Sequence, residues 1–193
     1  MNTIQNCSPC TRFARIKTFL KYIFSILVFL ALMWVGYFLI YGNFHKVDKD
    51  AYRSAQLFSF NMPYYIQKYH IQSILNLRGP SKQSWYMNEQ RISDEYNLTH
   101  YDYGIGDREL ATSQQMHDII KIIAKAPKPI LIHCKAGADR TSLVSSLYLY
   151  AIKHDANPAK EISIVYGHFP WLGSKTVAMD MSFKQYMREN PQE

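Results

Sequence analysis

Apolar residues are distributed along this chain in two regimes. From Tyr22 to Tyr41 (YIFSILVFLALMWVGYFLIY) twenty residues pass without a charge. About 20 apolar residues cross the hydrocarbon core of a bilayer as a helix, and a run that is apolar on every side leaves no face for water. A secretory signal carries a shorter apolar stretch, ~7–15 residues, followed by a small-x-small cleavage site. Here Tyr41-Gly42-Asn43-Phe44 follows instead. The pattern predicts an uncleaved transmembrane signal anchor over 22–41, behind a basic tail over 1–21. Tyr22, Tyr37 and Tyr41 stand where interface aromatics are expected, and Trp34 lies deeper.

Beyond the anchor, short apolar runs alternate with helical patterns. Residues 44–51 read as a short, charged, exposed linker. Ala51–Leu57 (AYRSAQL) reads as an opening strand and turn, and Asn61–Tyr69 as a helix with Pro63 in its first turn, where proline is tolerated. Ile71–Leu77 (IQSILNL) reads as a strand stopped by Arg78-Gly79-Pro80. Trp85–Tyr96 follows as a helix and Leu98–Ile105 as a strand. Thr112 and Gln115 form a capping-box signature, after which Met116, Ile119, Ile120 and Ile123 share one helical face. Lys128–His133 is a strand. Leu143, Val144, Leu147, Tyr148, Ala151 and Ile152 then recur at helical spacing. Pro158–Tyr166 and Ser182–Arg188 read as closing helices. The alternation predicts an α/β fold, a central, mostly parallel twisted sheet flanked by helices, in one domain over 44–193. Ligands bind such sheets at the carboxyl ends of the strands.

Charge changes the picture little within the domain. The chain carries a formal net charge of +7. Residues 1–43 hold Arg12, Arg15, Lys17 and Lys21 and no acid, which leaves a net of +3 for the rest. There is no basic stripe with interleaved aromatics, so nucleic acid is not an expected partner. Four basic residues before the anchor, against Lys46, Lys49 and Arg53 after it, favour a cytoplasmic N-terminus and a non-cytoplasmic location for the domain over 44–193. Cys7 and Cys10 form a C-x-x-C in the tail without the further ligands a zinc site needs. Cys134 is the single cysteine of the domain, so no disulfide forms there, and such a thiol suits either redox compartment.

The chemistry sits in Pro129-Ile130-Leu131-Ile132-His133-Cys134-Lys135-Ala136-Gly137-Ala138-Asp139-Arg140-Thr141. A buried strand ends at His133-Cys134 and a helix follows, so the cysteine lies on a turn at a helix N-terminus. Backbone N–H groups from Lys135, Ala136, Gly137 and Ala138, together with the helix dipole, favour an anion and stabilise a thiolate. Arg140 offers a planar fork that grips two phosphate oxygens. Gly137 lets the loop curl closely around a ligand. Thr141 is placed to give a hydroxyl hydrogen bond to the sulfur, and His133, on the strand side, to organise the loop. The group this cradle fits is a phosphate ester. A nucleotide-binding loop is excluded by the missing Gly-Lys-Ser/Thr.

His133–Thr141 resembles the His-Cys-x5-Arg-Ser/Thr loop of the cysteine-based protein-tyrosine and dual-specificity phosphatases. Tyr52-Arg53-Ser54-Ala55-Gln56 and Leu75-Asn76-Leu77-Arg78 are similar to stretches of bacterial and small dual-specificity members. The resemblance implies that Cys134 attacks phosphorus to form a phosphocysteine, that an acid protonates the leaving oxygen, and that water hydrolyses the intermediate without metal or cofactor. It implies an upstream loop Asp as the acid. Tyr101–Glu109 occupies that place but lacks the usual Trp-Pro. Asp107, on a loop that Gly104 and Gly106 make flexible, is the first choice; Asp102 and Glu109 share the segment. An Asp directly before the loop arginine, Asp139 here, resembles bacterial phosphatases in which that residue is proposed to serve the acid step. Lys135-Ala136-Gly137 also resembles lipid phosphatases that handle inositol headgroups. The implied substrate is phosphotyrosine, with phosphoserine or phosphothreonine beside it, on proteins, or alternatively a phosphoinositide or other phospholipid. A non-catalytic phospho-binding protein is disfavoured because Cys134, Gly137, Arg140 and Thr141 are all present.

Overall fold

The structure, a computed structural model, describes residues 9–192. Cys7 and the side chain of Cys10 lie outside what is described. Helix α1 runs from Pro9 to Tyr41, so the part of the basic tail that is described, residues 9–21, is helical together with the apolar run. Its stretch Ala14–Phe38 is long and apolar enough to cross a membrane and is not covered by protein. A separate compact unit begins at Tyr41.

In that unit the chain forms β1 (His45–Lys46), β2 (Ala51–Ser54), α2 (Met62–Tyr69), β3 (Ser73–Asn76), α3 (Ser84–Glu95), β4 (Thr99–Asp102), α4 (Ser113–Lys125), β5 (Ile130–His133), α5 (Asp139–Ala151) and α6 (Val177–Glu189). The five-stranded sheet has the order β1-β2-β5-β3-β4. β1 pairs antiparallel with β2 at one edge, and the other four strands are parallel. The fold is therefore the expected α/β sheet. The linker expected over 44–51 is corrected: it contains β1 and is largely half-buried, because Val47 and Asp48 donate their backbone N–H groups to Ala51 O and close a hairpin.

Alternation within β5 shows why its apolar run is continuous. Ile130 and Ile132 pack with Met116, Ile119, Ile123, Leu143 and Leu147 on one face. Leu131 packs with Tyr52, Met62, Ile66, Ile74 and Ile92 on the other. A central parallel strand covered on both faces needs apolar side chains at every position. The capping box at α4 is present in both directions, Gln115 N to Thr112 Oγ1 and Thr112 N to Gln115 Oε1. Helix α5 is buried nearly all round, Thr141, Ser142, Ser145 and Ser146 included. Small polar residues on its second face let neighbours approach where the apolar periodicity marked only one.

The helix expected over 158–166 is instead two short 3-10 turns, Pro158–Glu161 and Ile164–Tyr166. The reason is Arg53, which is fully buried. Its Nη1 donates to the Glu161 carbonyl and to Glu161 Oε2, both at 2.8 Å, so that carbonyl is taken out of any helical ladder. Its Nη2 donates to Gly137 O and Ser142 Oγ, also at 2.8 Å, and the guanidinium lies 3.9 Å from the Tyr166 ring centroid. One cation thus joins β2, the loop after β5, α5 and the first 3-10 turn. Removing one partner of a buried ion pair leaves the other uncompensated. Arg53→Ala is expected to lower stability by about 3–5 kcal/mol in urea unfolding of the full chain, and a loss below about 1 kcal/mol would contradict this role.

Candidate active site

Register brings the site together. Ser54 and Asn76 are each the pairing partner of His133, and Asn76 that of Asp102. The residues after these strand ends therefore lie side by side along the carboxyl edge of the sheet, with Cys134 at its centre. Cys134 is buried, 2% exposed.

The loop from Cys134 to Ala138 is held by its carbonyls. Gln56 N donates to Lys135 O at 3.2 Å, Asn43 Nδ2 to Ala136 O at 3.1 Å, and Arg53 Nη2 to Gly137 O at 2.8 Å. In a planar trans peptide the C=O and N–H point in opposite directions. Pinning these three oxygens to the surrounding frame turns the N–H groups of Ala136, Gly137 and Ala138 to the opposite side, as an anion cradle requires. Gly137 has φ +67°, and a Cβ there would stand 2.5 Å from Ala55 N and 2.6 Å from the Ser54 carbonyl carbon. Both facts demand glycine.

Arg140 lies in the first turn of α5. Its Nη1 donates to Leu77 O at 3.2 Å and to Ile105 O at 3.3 Å, while its buried Nε has no partner among the described residues. The buried Thr141 Oγ1 is likewise without one, so the expected Thr141 hydrogen bond to sulfur is not formed. Two orphaned polar groups beside the cradle fit a site whose partner is an anion.

His133 is anchored through its ring. Its Nε2 lies 3.2 Å from Glu89 Oε1, which also meets His100 Nε2 at 2.8 Å. Glu89 Oε2 accepts from Gln56 Nε2, and Gln56 Oε1 accepts from Arg78 Nη1 at 2.9 Å. Arg78 stacks 3.3 Å from the Trp85 ring centroid. Burial, then repulsion from Arg140, lowers the Arg78 pKa, so a second cation neighbours the cradle. Burial alone would raise the Glu89 carboxyl, but His133 and His100 hold it well below the usual carboxylate range.

The acid candidates separate. Asp102 is engaged by Asn76 Nδ2 at 2.7 Å and by the Tyr86 hydroxyl at 2.5 Å; it braces the sheet edge. Glu109 packs over Gly106. Asp107 is exposed, two residues beyond Ile105, whose carbonyl Arg140 holds. Asp139 Oδ1 lies 2.8 Å from His168 Nδ1, and His168 Nε2 lies 2.8 Å from Asp180 Oδ2. Burial would lower the His168 pKa, yet the two carboxylates outweigh it and raise it. Lys135 is exposed at the rim.

Arg53 and Arg78 belong to the two secondary motifs, but their roles were not legible there. Glu89 reads in sequence as an ordinary solvated acid on a helix, and nothing marks His168, Asp180 or Asn43.

The sheet, the strand-end loop and the arginine behind it define a phosphate-ester hydrolase of the cysteine-based class. A sequence profile described as the tyrosine phosphatase family matches residues 38–148, and the chain belongs to that family. Among solved structures it is similar to the core catalytic domain of the PP-IP phosphatase SIW14 from S. cerevisiae, with TM-score 0.59 and 19% identity over 77% of this chain and 92% of that one. It is also similar to Tk-PTP, with TM-score 0.57 and 15% identity over 76% and 97%, and to PTPMT1 in complex with PI(5)P, with TM-score 0.54 and 11% identity over 76% and 97%. At these identities the likeness is one of fold. No curated protein matches by sequence.

Two outcomes follow from the geometry. Gly137→Ala is expected to reduce phosphate release by at least ~100-fold, since ångström-scale displacement of a positioned group costs about that much; near-normal turnover would contradict the close approach. The depressed Glu89 carboxyl contributes stability that is complete above its unfolded pKa of about 4.3 and is lost as pH falls toward its folded value. Glu89→Gln should therefore lower stability at neutral pH by about 1.5–3 kcal/mol and flatten the acid limb of the stability–pH curve, as read by thermal unfolding.

Proposed function

We propose that this phosphatase hydrolyses phosphate monoesters through a phosphocysteine on Cys134. The observation that carries the reading is the cradle: three pinned carbonyls, inward N–H groups and the unpartnered Arg140 Nε, all beside one buried thiol. Arg140 holds two nonbridging oxygens. Cys134 Sγ forms a bond to phosphorus as the ester P–O bond breaks, and Asp107 gives its proton to the leaving oxygen. Water then attacks phosphorus, loses its proton to the Asp107 carboxylate, and expels the thiolate. Asp107 is favoured over Asp139 because Arg140 tethers its loop, whereas the Asp139 carboxylate is occupied by His168.

The foremost substrate is phosphotyrosine on proteins. A second reading, a phosphoinositide or other phospholipid, is favoured by the exposed rim cation Lys135; PTPMT1, of the same fold, binds PI(5)P. We further propose that α1 anchors the domain to a membrane, with Arg12, Arg15, Lys17 and Lys21 retained on the cytoplasmic side.

Phosphate release by the full chain from phosphotyrosine peptide, phosphoserine peptide and phosphoinositide tests the substrate order. Cys134→Ser is expected to abolish all of it, and full retained turnover would sink the mechanism. General acid catalysis supplies ~10²–10⁴-fold for poor leaving groups and little for activated aryl phosphates. Asp107→Asn should therefore impair phenyl phosphate far more than a fluorinated aryl phosphate. The same selective loss in Asp139→Asn, with Asp107→Asn unaffected, would move the assignment to Asp139.

A further inference from the structure

The phosphate loop is tied directly to the residues that leave α1. Tyr65 Oη donates to Tyr41 O at 2.9 Å. Ala55 N donates to Gly42 O at 2.7 Å, and Gln56, the next residue, donates to Lys135 O. Asn43 Nδ2 bridges Ala136 O at 3.1 Å and Tyr166 O at 2.9 Å. Two residues, at most ~7 Å of chain, separate Asn43 from Tyr41. Three helical residues, about 5 Å of rise, separate Tyr41 from Phe38, where the apolar span ends. The headgroup zone of a bilayer is ~5–8 Å deep on each side. The cradle is therefore within short reach of any membrane that α1 spans.

Large apolar side chains stand in water next in sequence to the residues that hold this junction. Phe58 and Phe60 stack with centroids 5.6 Å apart and are 47% and 70% exposed, and Tyr64 is 53% exposed. They adjoin Leu57, whose side chain packs on Gly42, and Tyr65, which holds Tyr41. The segment after Tyr166, whose carbonyl Asn43 holds, presents Phe169 and Trp171, centroids 5.0 Å apart, and Leu172, which is 95% exposed. Contiguous exposed apolar surface marks an interaction site, and aromatic rings with a polar edge prefer the membrane interface.

We propose that Phe58, Phe60, Tyr64, Phe169, Trp171 and Leu172 form an apolar collar that docks the domain onto the lipid bilayer holding α1, so that the phosphate loop opens at headgroup level. This rests on the membrane anchoring proposed above. The occupant is the bilayer because the collar flanks the exit of the one helix able to span it among the described residues, at the limits the chain length sets.

The test uses the full chain in vesicles of phosphatidylcholine and phosphatidylglycerol, with a benzoylphenylalanine photoprobe at Leu172 or, separately, at Phe29 of α1. Both positions are exposed, so the probe displaces no packing. Lipid adducts at both positions, in comparable yield by mass spectrometry, are the expected result. An adduct at 29 without one at 172 overturns the docking while the anchor stands, and leaves the collar to a protein partner. No adduct at either position overturns the anchor and the docking with it.

Discussion

Arg53 is the contact on which the site depends. A guanidinium removed from water is costly unless it is paired and hydrogen-bonded, and here Glu161, Gly137 and Ser142 take the donors of its two terminal nitrogens while the Tyr166 ring covers its face. Those partners come from four parts of the chain. Satisfying the cation therefore fixes where the loop carbonyl of Gly137 points, and so where the opposing N–H points. The anion cradle is the far side of a solved burial problem.

Around that contact the site is layered. The loop is held from below by Arg53, from the β2 side by Gln56 and from the start of the domain by Asn43. Glu89 ties the Gln56 support to the end of β5, since it meets His133 directly and Gln56 on its other oxygen. Asp139, by contrast, faces away to α6 through His168. The two candidate acids differ in kind: Asp139 is committed to His168, while Asp107 is exposed on a loop that Arg140 tethers.

Much of this was legible in the sequence where local chemistry and periodicity agree. The run Ile130–His133, the capping box at Thr112 and the loop glycine each have a local cause and were found by it. The 3-10 turns over 158–166 were not, because the agent that opens them is Arg53, distant in sequence. β1 was missed because two residues give no alternation to read. Glu89, His168 and Asn43 carry no local signal: each is an ordinary polar residue whose role exists only once the strand ends are aligned. In Arg53 and Arg78 the motif was visible and the chemistry was not, since a motif gives position without partners.

The separation of Arg53 from Glu161, 108 residues, also bears on synthesis. Chains emerge from the N-terminus onward at ~5–20 residues per second. The apolar helix leaves the ribosome well before Cys134, the carboxylate that neutralises Arg53 follows later still, and Asp180 after that. During this interval the nascent chain carries its thiol on a loop whose frame is incomplete. The enzyme therefore becomes competent only after Glu161 has been made, well after the segment that would place it in a membrane.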